Sequence, residues 1–169
     1  MTARVDTPAG GDHVTFRVGR QWLGLPVATV QEVLVAQRLA PVPLAPPAVA
    51  GFLNLRGQIV TAVDLRTSLG VRAAPAVDAA TTDASAADDV MPRYDVVVRD
   101  GDELFALLVD EVGDVLPVAS AEVEVLPATL AGLWRAACAG TVRRAHDVLL
   151  VLDLPRLLRA SAEASLPAA

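Results

Sequence analysis

The chain repeats itself, and the repeat limits what it can fold into. Leu23-Gly24-Leu25-Pro26-Val27-Ala28-Thr29-Val30-Gln31-Glu32-Val33-Leu34 lies on Phe105-Ala106-Leu107-Leu108-Val109-Asp110-Glu111-Val112-Gly113-Asp114-Val115-Leu116 at an offset of 82, with Gly19 on Gly101. Apolar, small and acidic classes agree at nearly every position. A second block, at an offset of 89, sets Gly51 on Gly140, Ile59-Val60 on Val148-Leu149, Val63-Asp64-Leu65 on Leu152-Asp153-Leu154 and Leu69 on Leu158. The growth in offset is an insertion in the second copy. Two similar units are implied, each too small to bury an adequate core alone, so they must pack through an apolar seam. A content of 53% apolar residues in 169 supplies the material.

Each copy reads as a run of short strands closed by a capped helical turn. Val14, Phe16 and Val18 alternate with Thr15 and Arg17, and Leu23, Leu25 and Val27 alternate again, which is the period of half-buried strands. Pro26 suggests an edge or a bulge. Val30–Val35 continues the β-rich run. Pro41-Val42-Pro43-Leu44-Ala45-Pro46-Pro47 is extended and stiff, and Pro47 is suited to open one helical turn over Ala48–Ala50. Arg56-Gly57 lies between two β-suited runs and reads as a hairpin tip. Asp64 caps a short helix that stops at Gly70. In the second copy, 94–98, 104–109, 112–116, 140–142 and 148–152 read as strands, 126–134 as a loop with a helical turn, and Asp153 as the cap of a helix over 154–158. The copies differ at the tip, where Arg56-Gly57 is replaced by Ala145-His146.

These readings give a single domain over 13–159, with a first subdomain at 13–72 and a second at 93–159. The acidic, Ala-rich stretch 73–92 reads as a flexible loop, and the ends, 1–12 and 160–169, as disordered. No apolar run approaches the length of a membrane span and no signal peptide is visible. One cysteine, Cys138, excludes an internal disulfide framework and fits a reducing, cytoplasmic setting. The net charge is −6 and every cation is an arginine, which argues against nucleic-acid binding and against docking on anionic membrane.

No constellation of residues calls for chemistry. There is no phosphate-binding glycine loop and no nucleophile elbow. Cys138, His13 and His146 stand in unrelated places, so no metal is expected, and no cofactor. Cys138, Trp22 and Trp134 read as packing residues. The chain is expected not to be an enzyme.

Thr15-Phe16-Arg17-Val18-Gly19, Val30-Gln31-Glu32-Val33, Pro43-Leu44-Ala45-Pro46 and Gly51-Phe52-Leu53-Asn54-Leu55-Arg56-Gly57 leading to Val63-Asp64-Leu65-Arg66 together resemble the CheW family of chemotaxis coupling proteins. Leu108–Leu116 and Leu149–Leu154 carry the resemblance into the second copy. It implies an all-β fold of two SH3-like five-stranded barrels on a shared hydrophobic core, with a few short helices. It implies a non-catalytic adaptor bridging the cytoplasmic tip of a methyl-accepting chemoreceptor to the regulatory domain of the histidine kinase CheA, recruited to receptor arrays without inserting in the membrane. By position, Val27, Val30, Glu32, Gly51, Asn54, Arg56 and Gly57 are the implied partner-binding residues. Val27 and Val30 offer apolar contact, Glu32 a carboxylate for a partner's cation, and Arg56 charge-assisted hydrogen bonds from a short turn. Two alternatives stand beside this: an isolated CheW-like regulatory module of a kinase pathway unconnected with flagellar motility, and a small-molecule-binding double barrel with a polar pocket in its seam.

Overall fold

The computed structural model of the protein describes residues 10–71, 93–130 and 132–163. The alternating segments form strands β1 (Gly11–Val18), β2 (Gln21–Pro26), β3 (Val30–Val35), β4 (Val49–Leu55), β5 (Gln58–Asp64), β6 (Tyr94–Asp100), β7 (Glu103–Val109), β8 (Glu111–Val118), β9 (Cys138–Arg143) and β10 (Val148–Leu152). Three helices are α1 (Leu65–Ser68), α2 (Gly132–Ala137) and α3 (Leu154–Glu163). The protein is mainly β, in two five-stranded sheets.

The repeat is real, but its copies are interlocked. One sheet runs β8-β1-β2-β10-β9 and the other β3-β6-β7-β5-β4. Replacing each strand by its repeat counterpart turns one order into the other. Each sheet therefore takes two strands from one copy and three from the other, and the expected division into a 13–72 unit and a 93–159 unit does not describe the sheets. The physical reason is the parallel pairing. β2 lies parallel to β10, and β5 parallel to β7, and a parallel neighbour cannot be reached through a tight turn. Between β2 and β10 the chain leaves the first sheet, passes through the second and returns, whereas β5 reaches β7 by way of β6 in its own sheet. Neither ladder closes among the described residues, because no pairing links β8 to β9 or β3 to β4.

Both faces of the central strands are buried, against different things. Val96 and Val98 on β6, Leu107 and Val109 on β7, Phe16 and Val18 on β1, Leu23 and Leu25 on β2, and Leu150 and Leu152 on β10 fill the seam between the sheets. The alternate residues fill two smaller clusters inside the curl of each sheet. Leu53, Val60, Ala62, Val97 and Ala106 make one, and Val118, Val142, Leu149 and Val151 the other. Trp22 packs on the latter and Trp134 on the seam, while Cys138 is buried in the seam.

Charges staple the sheets together at one side of the seam. Asp110, between β7 and β8, accepts from the Arg66 guanidinium at 2.8 Å and from the Gly19 backbone N–H at 2.7 Å, while Arg93 reaches Asp64 at 3.0 Å and Asp110 at 3.7 Å. Gly19 belongs to the β1–β2 turn in the first sheet, whereas Arg66 and Arg93 flank strands of the second. Burial works against the charged Asp110, but the Arg66 and Gly19 hydrogen bonds and the two guanidinium charges outweigh it and hold its carboxyl below the usual range.

Several local expectations need correction. Pro26 is neither at an edge nor in a bulge; it ends β2, a central strand, where its missing N–H costs no ladder bond beyond the strand. Ala48–Ala50 is not helical, because the turn closed by the Val49 N–H on Pro46 O leads straight into β4. Gly11 and Asp12 belong to β1, and α3 continues to Glu163, so both ordered ends run further than expected. The acidic 73–92 stretch and the outermost ends fall outside the described residues.

Candidate functional site

The β4–β5 hairpin turns in two residues, and both take positive φ: 52° at Arg56 and 84° at Gly57. This is the type I′ geometry that matches the twist of a hairpin and favours Asn-Gly. Gly57 suits it. Arg56 does not, since a side chain in the left-handed region costs on the order of 1 kcal/mol. Asn54 repairs the turn from outside, its Oδ1 accepting the Gly57 N–H at 2.9 Å. Three of the residues singled out in the sequence thus form one structural unit, and only Arg56 works against the local conformation.

Glu32 meets that tip from the other edge of the sheet. β3 and β4 are the two edges of the second sheet, yet the Arg56 guanidinium donates to the Glu32 carboxylate at 3.1 Å. The sheet must curl to bring its edges together, as the shared inner cluster of Leu34 from β3 with Leu53 and Leu55 from β4 also requires. A register shift between Val30 and Glu32 helps by re-aiming the strand. Glu32 was expected to wait for a partner's cation, but it already holds one from its own chain. The Arg56 side chain remains 80% exposed, so the pair is worth only about 0–1 kcal/mol and is readily exchanged.

Val27 and Val30 stand beside this edge. Val27 opens the 3-10 turn Val27–Thr29 and is 40% exposed, whereas Val30 is half-buried and packs against the seam. Gly51 is different. It is buried with φ at 154°, and a Cβ there would come within 2.5 Å of the Ala40 carbonyl oxygen. Its bareness lets Ala40 pair with Phe52 along the β4 edge. Gly140, its repeat counterpart, does the same beneath the Glu124 carbonyl, where Glu124 pairs with Thr141. Gly51 is thus used by the chain itself.

The second tip is not simply a tip without a cation. Arg143 pairs with Glu124, and Arg144 pairs with Asp147 and lies 5.5 Å from the Trp22 ring centroid. Arg144 is held against its own sheet, whereas Arg143 is as exposed as Arg56. The difference between the tips is therefore one of backbone and not of charge: only the first turns through two residues of positive φ, with its arginine in the turn itself.

A CheW-like domain family model matches residues 12–162. The chain belongs to the CheW-like family. Among curated CheW-like relatives, it is 26% identical over 144 residues to a chemotaxis protein CheW of Treponema pallidum (strain Nichols), covering 85% of this chain and 79% of that protein. It is also 26% identical over 148 residues to a chemotaxis protein CheW of Rhizobium meliloti (strain 1021), covering 88% and 87%. The scaffolding protein TtCheW of Thermoanaerobacter tengcongensis has a similar crystal structure, with a TM-score of 0.68 at 21% identity over 85% of this chain and 89% of that one, a likeness of fold.

Other features of this CheW-like chain were not singled out from sequence. The Asp64–Arg66–Arg93–Asp110 cluster joins residues far apart in the chain, and no local pattern announces it. The exposed apolar side chains Leu44, Phe52 and Ile59 follow from alternation along β4 and β5 and from the Pro-rich turn, and could have been picked out there. Among the described residues the centre of the seam is filled by apolar side chains: Phe16, Leu23, Val96 and Leu107 are fully buried and packed. Among the described residues no cluster of His, Cys, Asp or Glu is arranged to hold a metal, and no helix is long and apolar enough to cross a membrane.

Proposed function

We propose that this protein is a non-catalytic adaptor that couples methyl-accepting chemoreceptors to the histidine kinase CheA, placing the kinase under receptor control at the inner face of the membrane. The observation that carries the reading is the CheW-like match over residues 12–162, with the Asn54–Gly57 tip intact and Arg56 presented to solvent. Chemotaxis proteins named CheW among the relatives support it. The curl that brings Glu32 to Arg56 supports reading each sheet as an SH3-like barrel with an unclosed ladder. Arg56, Glu32 and Val27 form the contact face, with Val30 at its base. Asn54, Gly57 and Gly51 shape that face from within.

The strain at Arg56 supports a partner role. Asn or Gly would make the turn more easily, and the pair with Glu32 is too exposed to compensate. Arg56→Glu is expected to lower affinity for the kinase regulatory domain or the receptor tip at least tenfold in calorimetry. Its melting temperature should stay within about 2 °C of the parent, since a surface change of this kind moves stability little. Unchanged affinity for both partners would remove Arg56 from the contact face. Failure of the unaltered protein to bind either, or to place kinase autophosphorylation under receptor control, would refute the adaptor reading itself.

A further inference from the structure

Leu44 is doubly out of place. It is fully exposed, at 104% of the reference area, and its φ is 60°. The Ala45 N–H donates to Val42 O at 3.4 Å, so Pro43 and Leu44 are the central residues of a β-turn with positive φ at the second of them. That is the type II pattern, whose third position belongs to glycine or asparagine. A leucine there gains nothing from burial and strains the backbone. Pro41, Pro43, Pro46 and Pro47 hold the turn stiff, so the side chain is presented in a fixed place with little left to order on binding. Such an outlier points from structure to use.

Its surroundings say what it would meet. The stem of the turn is tied to the sheet by the Ala40–Phe52 bridge, and the outer face of the β4–β5 hairpin carries Phe52 and Ile59, 37% and 73% exposed. Between Val33 and Val63 the only charged residues are Arg38 and Arg56, in a chain of net charge −6. Arg56 is paired with Glu32 but 80% exposed, and Ile59 shares a groove with Arg99, Asp102 and Glu103, so the cationic excess is confined to the β4 side of the turn, at the exposed Arg38 and Arg56. Two cations are too few to hold an anionic bilayer, where stable docking draws on a Lys- and Arg-rich face. A protruding, rigid apolar side chain fits a concave site.

We infer that Leu44 is an anchor residue, inserting into a leucine-sized apolar pocket, rimmed by carboxylates, on a folded partner protein. The inference rests on the adaptor reading, whose kinase regulatory domain serves as the probe. Leu44→Asn relaxes the turn, and Leu44→Asp adds a charge that an acidic rim would reject. Leu44→Asn is expected to melt about 2 °C higher than the parent, because asparagine accepts the left-handed conformation. It should bind the regulatory domain at least tenfold more weakly in calorimetry, and Leu44→Asp more weakly still. A variant that is stabilised yet binds as the parent does, while Arg56→Glu binds poorly, overturns the anchor and leaves the adaptor standing. Absence of binding by the parent overturns both. Flotation of the parent, but not of Leu44→Asn, with phosphatidylserine-containing vesicles would make the occupant a membrane and overturn the protein partner. Loss of a parent dimer in sedimentation on Leu44→Asn would make the occupant a second copy, and would overturn the separate partner equally.

Discussion

At the scale of the residue, two kinds of unusual backbone carry different meanings. Gly51 has its conformation because the fold needs it: the Ala40 carbonyl occupies the space of a side chain, and Gly140 repeats the device in the other sheet. Gly51→Ala should therefore destabilise by more than about 2 kcal/mol, since it combines a rare φ with a collision against backbone that cannot swing aside. Urea denaturation checks this, and a loss under about 0.5 kcal/mol would show that the Ala40–Phe52 pairing is dispensable. Arg56 and Leu44 bear the opposite signature. Each sits at positive φ in a turn that a smaller residue would make more easily, and each is exposed. The glycine was legible in the sequence as a fixed point but not its purpose, because alignment with Gly140 cannot distinguish a shared contact from a shared packing need. Arg56 was legible as a cation on a tip. That it would find Glu32 was not, because the two lie on opposite edges of a sheet whose curl no local pattern records.

At the scale of the element, alternation and capping were enough to find most strands and both capped helices. Asp64 and Asp153 each accept a backbone N–H from the first turn of the helix that follows, at 2.9 Å from Arg66 and 3.1 Å from Arg156. The two caps differ in load. α1 has a single turn and its cap also takes the Arg93 guanidinium, so Asp64 serves the helix and the seam together. Asp64→Ala is expected to cost about 2 kcal/mol, at the upper end for a cap, with Asp64→Asn recovering the capping share alone. Thermal melts of the pair separate the two contributions; equal losses in both variants would show that only the charge matters. Local preference misleads where a proline outweighs its neighbours. Pro47 does not start a helix because the chain must reach the β4 edge at Val49, where pairing with Val63 decides the conformation. Tertiary pairing overrode a local preference there, as it usually does for segments of three or four residues.

At the scale of the whole molecule, the sequence announces a repeat but not its interlocking, since both copies would look the same whether they folded apart or traded strands. Two features hold the traded arrangement. One is the Asp110 cluster, which has a defined pH signature. Its carboxyl is held below the usual range, so its stabilisation is complete above the unfolded value of about 3.9 and is lost as pH falls through the folded one. Asp95, buried on β6, has the opposite sign: desolvation lifts its carboxyl, against the Gln37 N–H and the Arg93 charge, so its ionisation costs stability as pH rises through that lifted value. Asp110→Asn should then lose about 2 kcal/mol at pH 7, a deficit that shrinks towards pH 3; an equal deficit at every pH in urea titrations would mean the charge is irrelevant. The other feature is topology. β1 and β2 have their ladder partners β8 and β10 across the 72–92 stretch, and β3 and β5 have theirs, β6 and β7, across it too. A half ending within that stretch keeps the β1–β2 and β4–β5 hairpins but leaves them without the strands that join them into sheets, and two-stranded hairpins are marginal in water. The chain cut within 72–92 should thus give two halves that are each unfolded by circular dichroism, and that regain β structure and a cooperative melt when mixed in equal amounts. A half that folds alone would mean that each copy can form its own sheet, and that the interlocked order is not what stabilises the molecule.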